Sequence, residues 1–414
     1  MKKNLFGGIA LFCLLSLSLP VLSQPLSLPR NHWADTAYKA LTAVISQYGV
    51  RSNHYNKDVK PYAVFDFDNT TAINDVEETL ILYQIENLCF KIKPQEMYDV
   101  LTGNVPDVHR TLAAINSSAE GKNITAKMLA DDIVRDYSFL YRTYIGRSGK
   151  KNLKKTKESA YYYDFRCKLR YMYDAIGDTF DPTVADAWIL YLFKNMSAGE
   201  LQSLTQKSID YWLTVPMKKV TWESPDRGAG KLSISVKMGF AISEEMKSLY
   251  RCLMANGFDV YICSASLREV VEVPATLPKY GLCLPKSHVL GVMLKKQNGR
   301  FMNALDTNEP LTLGEGKVTA IRSKLASLHQ GHGPVLVGGD SNGDYNMLTE
   351  FPDMQCGLII NRLPSGNLHG LCVKALNEKN SKYVLQGRDD NKGVFLPSQS
   401  SVLLGETAHR LIRK

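Results

Sequence analysis

Residues 61–66 (PYAVFD) are apolar up to their last position, and the chain then runs directly into Phe67, Asp68, Asn69, Thr70 and Thr71. A run this short and this apolar reads as a strand buried on both faces, and such a strand needs helices on either side of its sheet. The same punctuation recurs. Residues 258–263 (FDVYIC) end in Ser264, Ala265 and Ser266, and residues 334–338 (PVLVG) end in Gly339, Asp340, Ser341, Asn342, Gly343 and Asp344. Helical patterns separate the runs. Residues 33–48 read as an amphipathic helix, Ser243 caps one that stops at Gly257, and residues 314–329 form another, entered at the glycine-flanked Lys317. Asn74, with Glu77 three residues later, looks like the capping box of a further helix. From there to about residue 234 the text is mostly helical, rich in tyrosine and without strong strand runs. The alternation implies an α/β fold with a doubly wound, mostly parallel sheet, in which ligands bind beyond the carboxyl ends of the strands. Each polar cluster just named lies at such an end.

The clusters carry chemistry. On an extended chain Asp66 and Asp68 point the same way, and two carboxylates so close repel unless a cation or proton intervenes. Asp340 and Asp344 add two more at a second strand end. A lone pair of this kind is usually a turn or a helix cap; four carboxylates at strand ends with few histidines nearby suit a hard, oxygen-seeking cation such as Mg²⁺. Thr70, Ser264 and Lys317 supply hydroxyls and a positive charge for a tetrahedral anion. A carboxylate nucleophile beside a metal and an anion cradle is the layout for phosphoryl transfer through an aspartyl-phosphate.

Residues 64–70 (VFDFDNT) resemble motif I of the haloacid dehalogenase superfamily, Ser264 its motif II, Lys317 its motif III, and residues 339–344 (GDSNGD) its motif IV. The four come in order and cover roughly residues 60–74 and 235–362. The resemblance implies a Rossmann-like core, residues 24–74 and 235–414, with a large, mainly helical cap, residues 75–234, inserted after the first motif. It also implies that Asp66 is the nucleophile and Asp68 the general acid–base, while Thr70, Ser264 and Lys317 bind the phosphoryl group. Asp66, the main-chain carbonyl of Asp68, and Asp340 would hold Mg²⁺, with Asp344 as a further ligand or a brace behind them. An acid at Asp68 favours a phosphatase over the superfamily's dehalogenases and ATPases. A narrower likeness runs through Asp75, Glu77 and Glu78 and residues 243–250 (SEEMKSLY), 260–266 (VYICSAS) and 280–282 (YGL). These are similar to bacterial periplasmic phosphorylcholine phosphatases, in which the match to Glu78 helps to hold the quaternary ammonium. The chemistry agrees, since choline prefers aromatic faces and a nearby carboxylate. Two alternatives stay open: a broad-specificity exported acid phosphatase acting on nucleotides or sugar phosphates, and a non-catalytic choline or head-group binder.

Composition narrows the setting. Apolar residues are 44% and charged residues 22% of the chain, which excludes wholesale disorder, and the formal net charge of +9 names no partner. Lys2 and Lys3, the apolar run from Leu5 to Leu19, and small Val21 and Ser23 before Gln24 read as a signal peptide over residues 1–23. The run is shorter than the ~20 residues that a span needs. The expectation is an exported protein, periplasmic or secreted, with no stable membrane anchor after cleavage. Its partner would be a small-molecule phosphomonoester. Nucleic acid is not expected, because the basic stretch Arg147 to Lys157 has few interleaved aromatics and reads as a solvated loop. Oligomeric state is not legible. Seven cysteines remain after Cys13, and one or two disulfides are expected. Residues 228–231 (GAGK) lack Walker spacing. Residues 386–390 (QGRDD) read as a surface loop.

Overall fold

The computed structural model describes residues 27–113 and 123–412; the expected signal peptide lies outside them. Helix α1 (Asp35–Tyr48) precedes strand β1 (Tyr62–Phe65). A long stretch follows before the next sheet strand: α2 (Val76–Asn87), α3 (Pro94–Thr102), α4 (Ala126–Thr143), α5 (Ala160–Thr179), α6 (Pro182–Leu190), α7 (Ala198–Trp212) and an antiparallel hairpin of Lys218–Glu223 and Ser233–Met238. The chain then alternates: α8 (Glu244–Ala255), β2 (Asp259–Leu267), α9 (Arg268–Thr276), β3 (Val289–Val292), α10 (Glu315–Lys324), β4 (Leu336–Gly339), α11 (Tyr345–Thr349), β5 (Cys356–Ile360), α12 (Gly366–Asn377) and β6 (Tyr383–Gln386).

The six strands form one parallel sheet in the order β6-β5-β4-β1-β2-β3. Successive residues of β1 point to opposite faces. Ala63 and Phe65 join a core with α1, α8, α9 and the inserted helices, while Tyr62 and Val64 join a second core with α10, α11 and α12. Both faces being covered, the strand has no polar position to spare, which is why its sequence is a continuous apolar run. From β1 the chain winds outward to β3, returns beside β1 as β4, and winds the other way. The strand order therefore reverses between β1 and β4, and at such a point the carboxyl ends leave a crevice.

Several sequence expectations are corrected. The hairpin was not expected; its inward residues, Trp222, Ile234 and Val236, alternate with exposed or half-buried ones, so no apolar run announces it. Its second strand crosses the expected boundary at residues 234 and 235. Helix α2 is capped by Asp75, which accepts from the N–H groups of Glu77 and Glu78, not by Asn74. Residues 314–329 divide into α10 and a short 3₁₀ turn at Ala326–His329. The seven described cysteines are all free, and five of them are buried apart from one another as small apolar fillers. Residues 386–390 are no surface loop. Gln386 is fully buried, accepting from Ala34 N–H and donating to the Leu396 carbonyl, and a small four-stranded sheet follows it.

Candidate active site

The crevice is built from the ends of β1, β2, β4 and β5. Asp66 follows β1 directly, and its N–H donates to the Gly338 carbonyl at 2.9 Å, which fixes it beside β4. The chain then turns sharply, with Asn69 and Asn74 in the left-handed region that asparagine tolerates (φ 62° and 74°). Thr71 Oγ1 donates to the Asp66 carbonyl at 2.8 Å. Its proton being used there, the 2.7 Å contact with Tyr250 on α8 is a bond donated by the tyrosine. Gly339 closes β4 where a side chain is impossible: a Cβ there would lie 2.5 Å from that of Asp344.

Lys317 is almost fully buried and bridges Asp66 (2.7 Å) and Asp344 (2.6 Å). Burial pulls its pKa down, but Asp344 and Asp66 outweigh that and hold it well above the usual lysine range. Burial pushes the Asp66 carboxyl well above its usual range; Lys317 opposes the shift, and Asp344 and Asp340 add to it. Asp340 accepts from Thr70 Oγ1 at 2.9 Å and from Arg362 at 2.5 Å. Asp66, Asp340 and Asp344 each offer an oxygen within 4.8 Å of the others. These buried, oxygen-only donors, with a surplus of negative charge, fit a hard divalent ion of the Mg²⁺ kind. Asp344 is the most committed of the three: one oxygen takes Lys317, and the other takes the N–H groups of Asp340 (2.9 Å) and Ser341 (3.1 Å).

The Asp68 side chain does not join this group. It accepts from Val76 N–H at the start of α2 and from Ser266 Oγ, both at 2.7 Å, with Ser264 Oγ at 3.5 Å. Ser264 and Ser266 are two residues apart on β2 and so share a face. Burial, then Asp75 and Asp66, push the Asp68 carboxyl well above its usual range. Asp66 and Asp68 thus line one cavity but look toward different partners.

That cavity, of about 270 Å³, also holds Thr70's neighbour Asn69, and Ser264, Lys317 and Asp340. Its opposite wall comes from the inserted helices and the hairpin: Asp75, Glu78, Tyr173, Asp186 and Lys237. A second cavity of about 570 Å³ adjoins it and shares Glu78, Tyr173, Asp186 and Lys237. Glu78, to which the resemblance gives the quaternary ammonium, lines both cavities, and its carboxylate is paired with Arg170 at 2.8 Å. Burial would push that carboxyl up; Arg170, with Lys237 behind it, brings it below its usual range. Tyr173 is the one aromatic among the described lining residues of either cavity.

Sequence reasoning missed Arg362, Ser266, Asp186 and Arg388. Buried Arg388 donates to the Asn69 carbonyl (2.7 Å) and side-chain oxygen (3.2 Å), clamping the turn that carries Asp66 and Asp68. Arg362 and Arg388 follow β5 and β6 by two residues, so the strand-end rule that found Asp340 would have found both, had residues 356–360 and 383–386 been read as strands. Asp186 lies mid-helix among apolar neighbours and gives no comparable signal.

Residues 217–349 match the haloacid dehalogenase-like hydrolase family. The chain is 25% identical to the phosphorylcholine phosphatase of Pseudomonas aeruginosa over 335 residues, 75% of this chain and 74% of that protein. It is also similar to a solved structure from Anaerococcus prevotii, described as a conserved protein of unknown function. That likeness has a TM-score of 0.83 and 31% identity, and it covers 93% of this chain and 100% of the other. Sheet order, strand-end residues and these likenesses agree, and together they support a haloacid dehalogenase-superfamily phosphatase.

Proposed function

We propose that this phosphomonoesterase hydrolyses phosphate esters of cationic alcohols, phosphorylcholine among them, through an aspartyl-phosphate on Asp66 and with Mg²⁺ bound. The observation that carries the reading is the state of Asp66. One carboxylate oxygen is held by Lys317 at 2.7 Å, the other makes no hydrogen bond among the described residues, and the residue lines a cavity with a largely acidic far wall. The Pseudomonas relative supports the substrate class.

Asp66 attacks phosphorus, forming an Asp66 O–P bond as the ester P–O bond breaks, and Asp68 gives its proton to the departing alcohol. Asp68, now a carboxylate, takes a proton from water as that water attacks phosphorus. The P–O bond to Asp66 breaks, and inorganic phosphate leaves. Thr70, Ser264 and Lys317 hold the phosphoryl oxygens. Asp66, Asp340, the Asp68 main-chain oxygen and, as ligand or brace, Asp344 would hold Mg²⁺, which when bound would neutralise charge on the transferring group. Residues 75–234 act as a cap over the leaving group, and Glu78 contributes negative potential there. The protein acts after export, in the periplasm or outside the cell; no helix among the described residues is long and apolar enough to cross a membrane.

The test is phosphate release from phosphorylcholine, phosphorylethanolamine, AMP, glucose 6-phosphate and p-nitrophenyl phosphate, with Mg²⁺ and then with a chelator. The two cationic esters should give the highest kcat/KM, and chelation should abolish turnover until Mg²⁺ is restored. Equal rates on nucleotide and sugar esters would point instead to a broad acid phosphatase. Choline binding without turnover of any ester would point to a head-group-binding protein.

A further inference from the structure

The carboxylates that line the active-site cavity can be accounted for one at a time. Asp66 has Lys317, and Asp340 has Thr70 and Arg362. Asp68 and Asp75 accept from the first turn of α2, and Glu77 accepts from Leu267 N–H at 3.0 Å. Glu78 has Arg170. Asp186 remains. Among the described residues it makes no hydrogen bond and no ion pair, and it lines both the catalytic cavity and the larger cavity beside it. Asp186 is half-buried, so its carboxylate is neither sealed from water nor committed to a protein partner, and it is the lining carboxylate left free to take a donor or a cation from a ligand.

We infer that Asp186, rather than Glu78, is the residue that receives the cationic head of the leaving alcohol. The inference rests on the proposed phosphomonoesterase reading and deepens it. Asp186, on α6, lines the cavity that Asp66 and Asp340 line and also the adjoining one that they do not, so it is placed to meet the end of an ester that extends away from Asp66. Tyr173, on the neighbouring helix α5, offers the adjoining aromatic surface. One side of its ring already carries the Arg170 guanidinium, 4.7 Å from the centroid. Glu78 is bound to that same arginine, so using it for the substrate would mean breaking an ion pair first. Burial, together with the charges of Asp75 and Glu78, pushes the Asp186 carboxyl up to about 7. A bound cation would relieve that crowding directly.

The experiment measures kcat and KM for phosphorylcholine and p-nitrophenyl phosphate, and inhibition of p-nitrophenyl phosphate turnover by free choline, in the wild type, Asp186→Asn and Glu78→Gln. In Asp186→Asn the ratio of kcat/KM for phosphorylcholine over p-nitrophenyl phosphate should fall by about tenfold or more, mostly through KM, the size of one partly desolvated charge contact. The choline inhibition constant should rise in parallel. Glu78→Gln should move that ratio less than Asp186→Asn does. A wild-type ratio that survives in Asp186→Asn, or a larger loss of it in Glu78→Gln, would overturn the assignment while leaving the phosphatase reading intact. A wild type that turns over p-nitrophenyl phosphate but shows no preference for the cationic ester would overturn the substrate class and the assignment together.

Discussion

Lys317 and Lys168 are caged alike. Each ammonium is buried against two aspartates, Asp66 and Asp344 at 2.7 and 2.6 Å in one case, Asp132 and Asp164 at 2.7 Å in the other. The difference is what surrounds the aspartates. Around Lys168 the shell is closed: Arg135 reaches Asp132, Asp136 and Asp164, Ala229 N–H donates to Asp132, and the Arg227 carbonyl accepts the lysine's remaining bond. Gly228 completes it, with φ 55° and space for no side chain, since a Cβ would sit 1.9 Å from an Asp132 oxygen. The glycine-rich stretch that could be mistaken for a phosphate loop is thus the seal on a structural cluster joining α4, α5 and the turn before the second hairpin strand. Around Lys317 the shell is open, because Asp66 keeps an oxygen free at a cavity. A buried lysine with two carboxylates is architecture by default; an unspent carboxylate oxygen facing open space makes it a site.

The comparison can be broken by mutation. Asp66→Asn should reduce turnover by about 10⁴-fold or more, because an amide cannot replace the attacking carboxylate. The thermal midpoint should stay close to that of the wild type, read by circular dichroism, since one negative charge leaves a crowded cluster. Lys168→Met should do the reverse. Leaving Asp132 and Asp164 buried without their cation costs about 3–5 kcal/mol of stability, measured by urea unfolding, while kcat per folded molecule is retained. If both variants lost activity and stability alike, the division between open and closed cages would be wrong.

Weaker perturbations sharpen it. Arg388→Lys keeps the charge but gives up the forked contact with Asn69, and a displaced motif turn should lower kcat by about tenfold with little change in KM. The smallest effect is on pH. Burial and the neighbouring Asp164 push the Asp136 carboxyl in the closed cage up to about 7. A raised acid stabilises the fold fully below its unfolded value, ~4, and that contribution is lost as pH rises through the folded value. The thermal midpoint should therefore drop between pH 5 and pH 8, and the drop should shrink in Asp136→Asn.

The sequence was most legible where one force acted alone. Double-sided burial left the apolar runs of β1 and β4 with nowhere for a polar residue, so both strands and the aspartates after them could be read directly. The hairpin was hidden because one of its faces meets solvent and the apolar signal is diluted by half. Residues 386–390 misled for the opposite reason: Gln386, Arg388 and Asp389 look like a surface loop by composition, yet their polar groups are buried and paired. The far wall of the cavity was the least legible part. Arg170, Tyr173, Asp186 and Lys237 come from three elements that no spacing connects, and only the folded chain brings them together.

The central claim is that Asp66 takes the phosphoryl group, and it can be seen directly. Enzyme mixed with phosphorylcholine and Mg²⁺ is quenched in acid within milliseconds and mapped by mass spectrometry, with Asp68→Asn run alongside to slow breakdown of the intermediate. A phosphoryl group on the peptide carrying residues 61–68, localised to Asp66 and enriched in Asp68→Asn, is the predicted result. Phosphorylation of any other residue, or its persistence on that peptide in Asp66→Asn, would contradict the account.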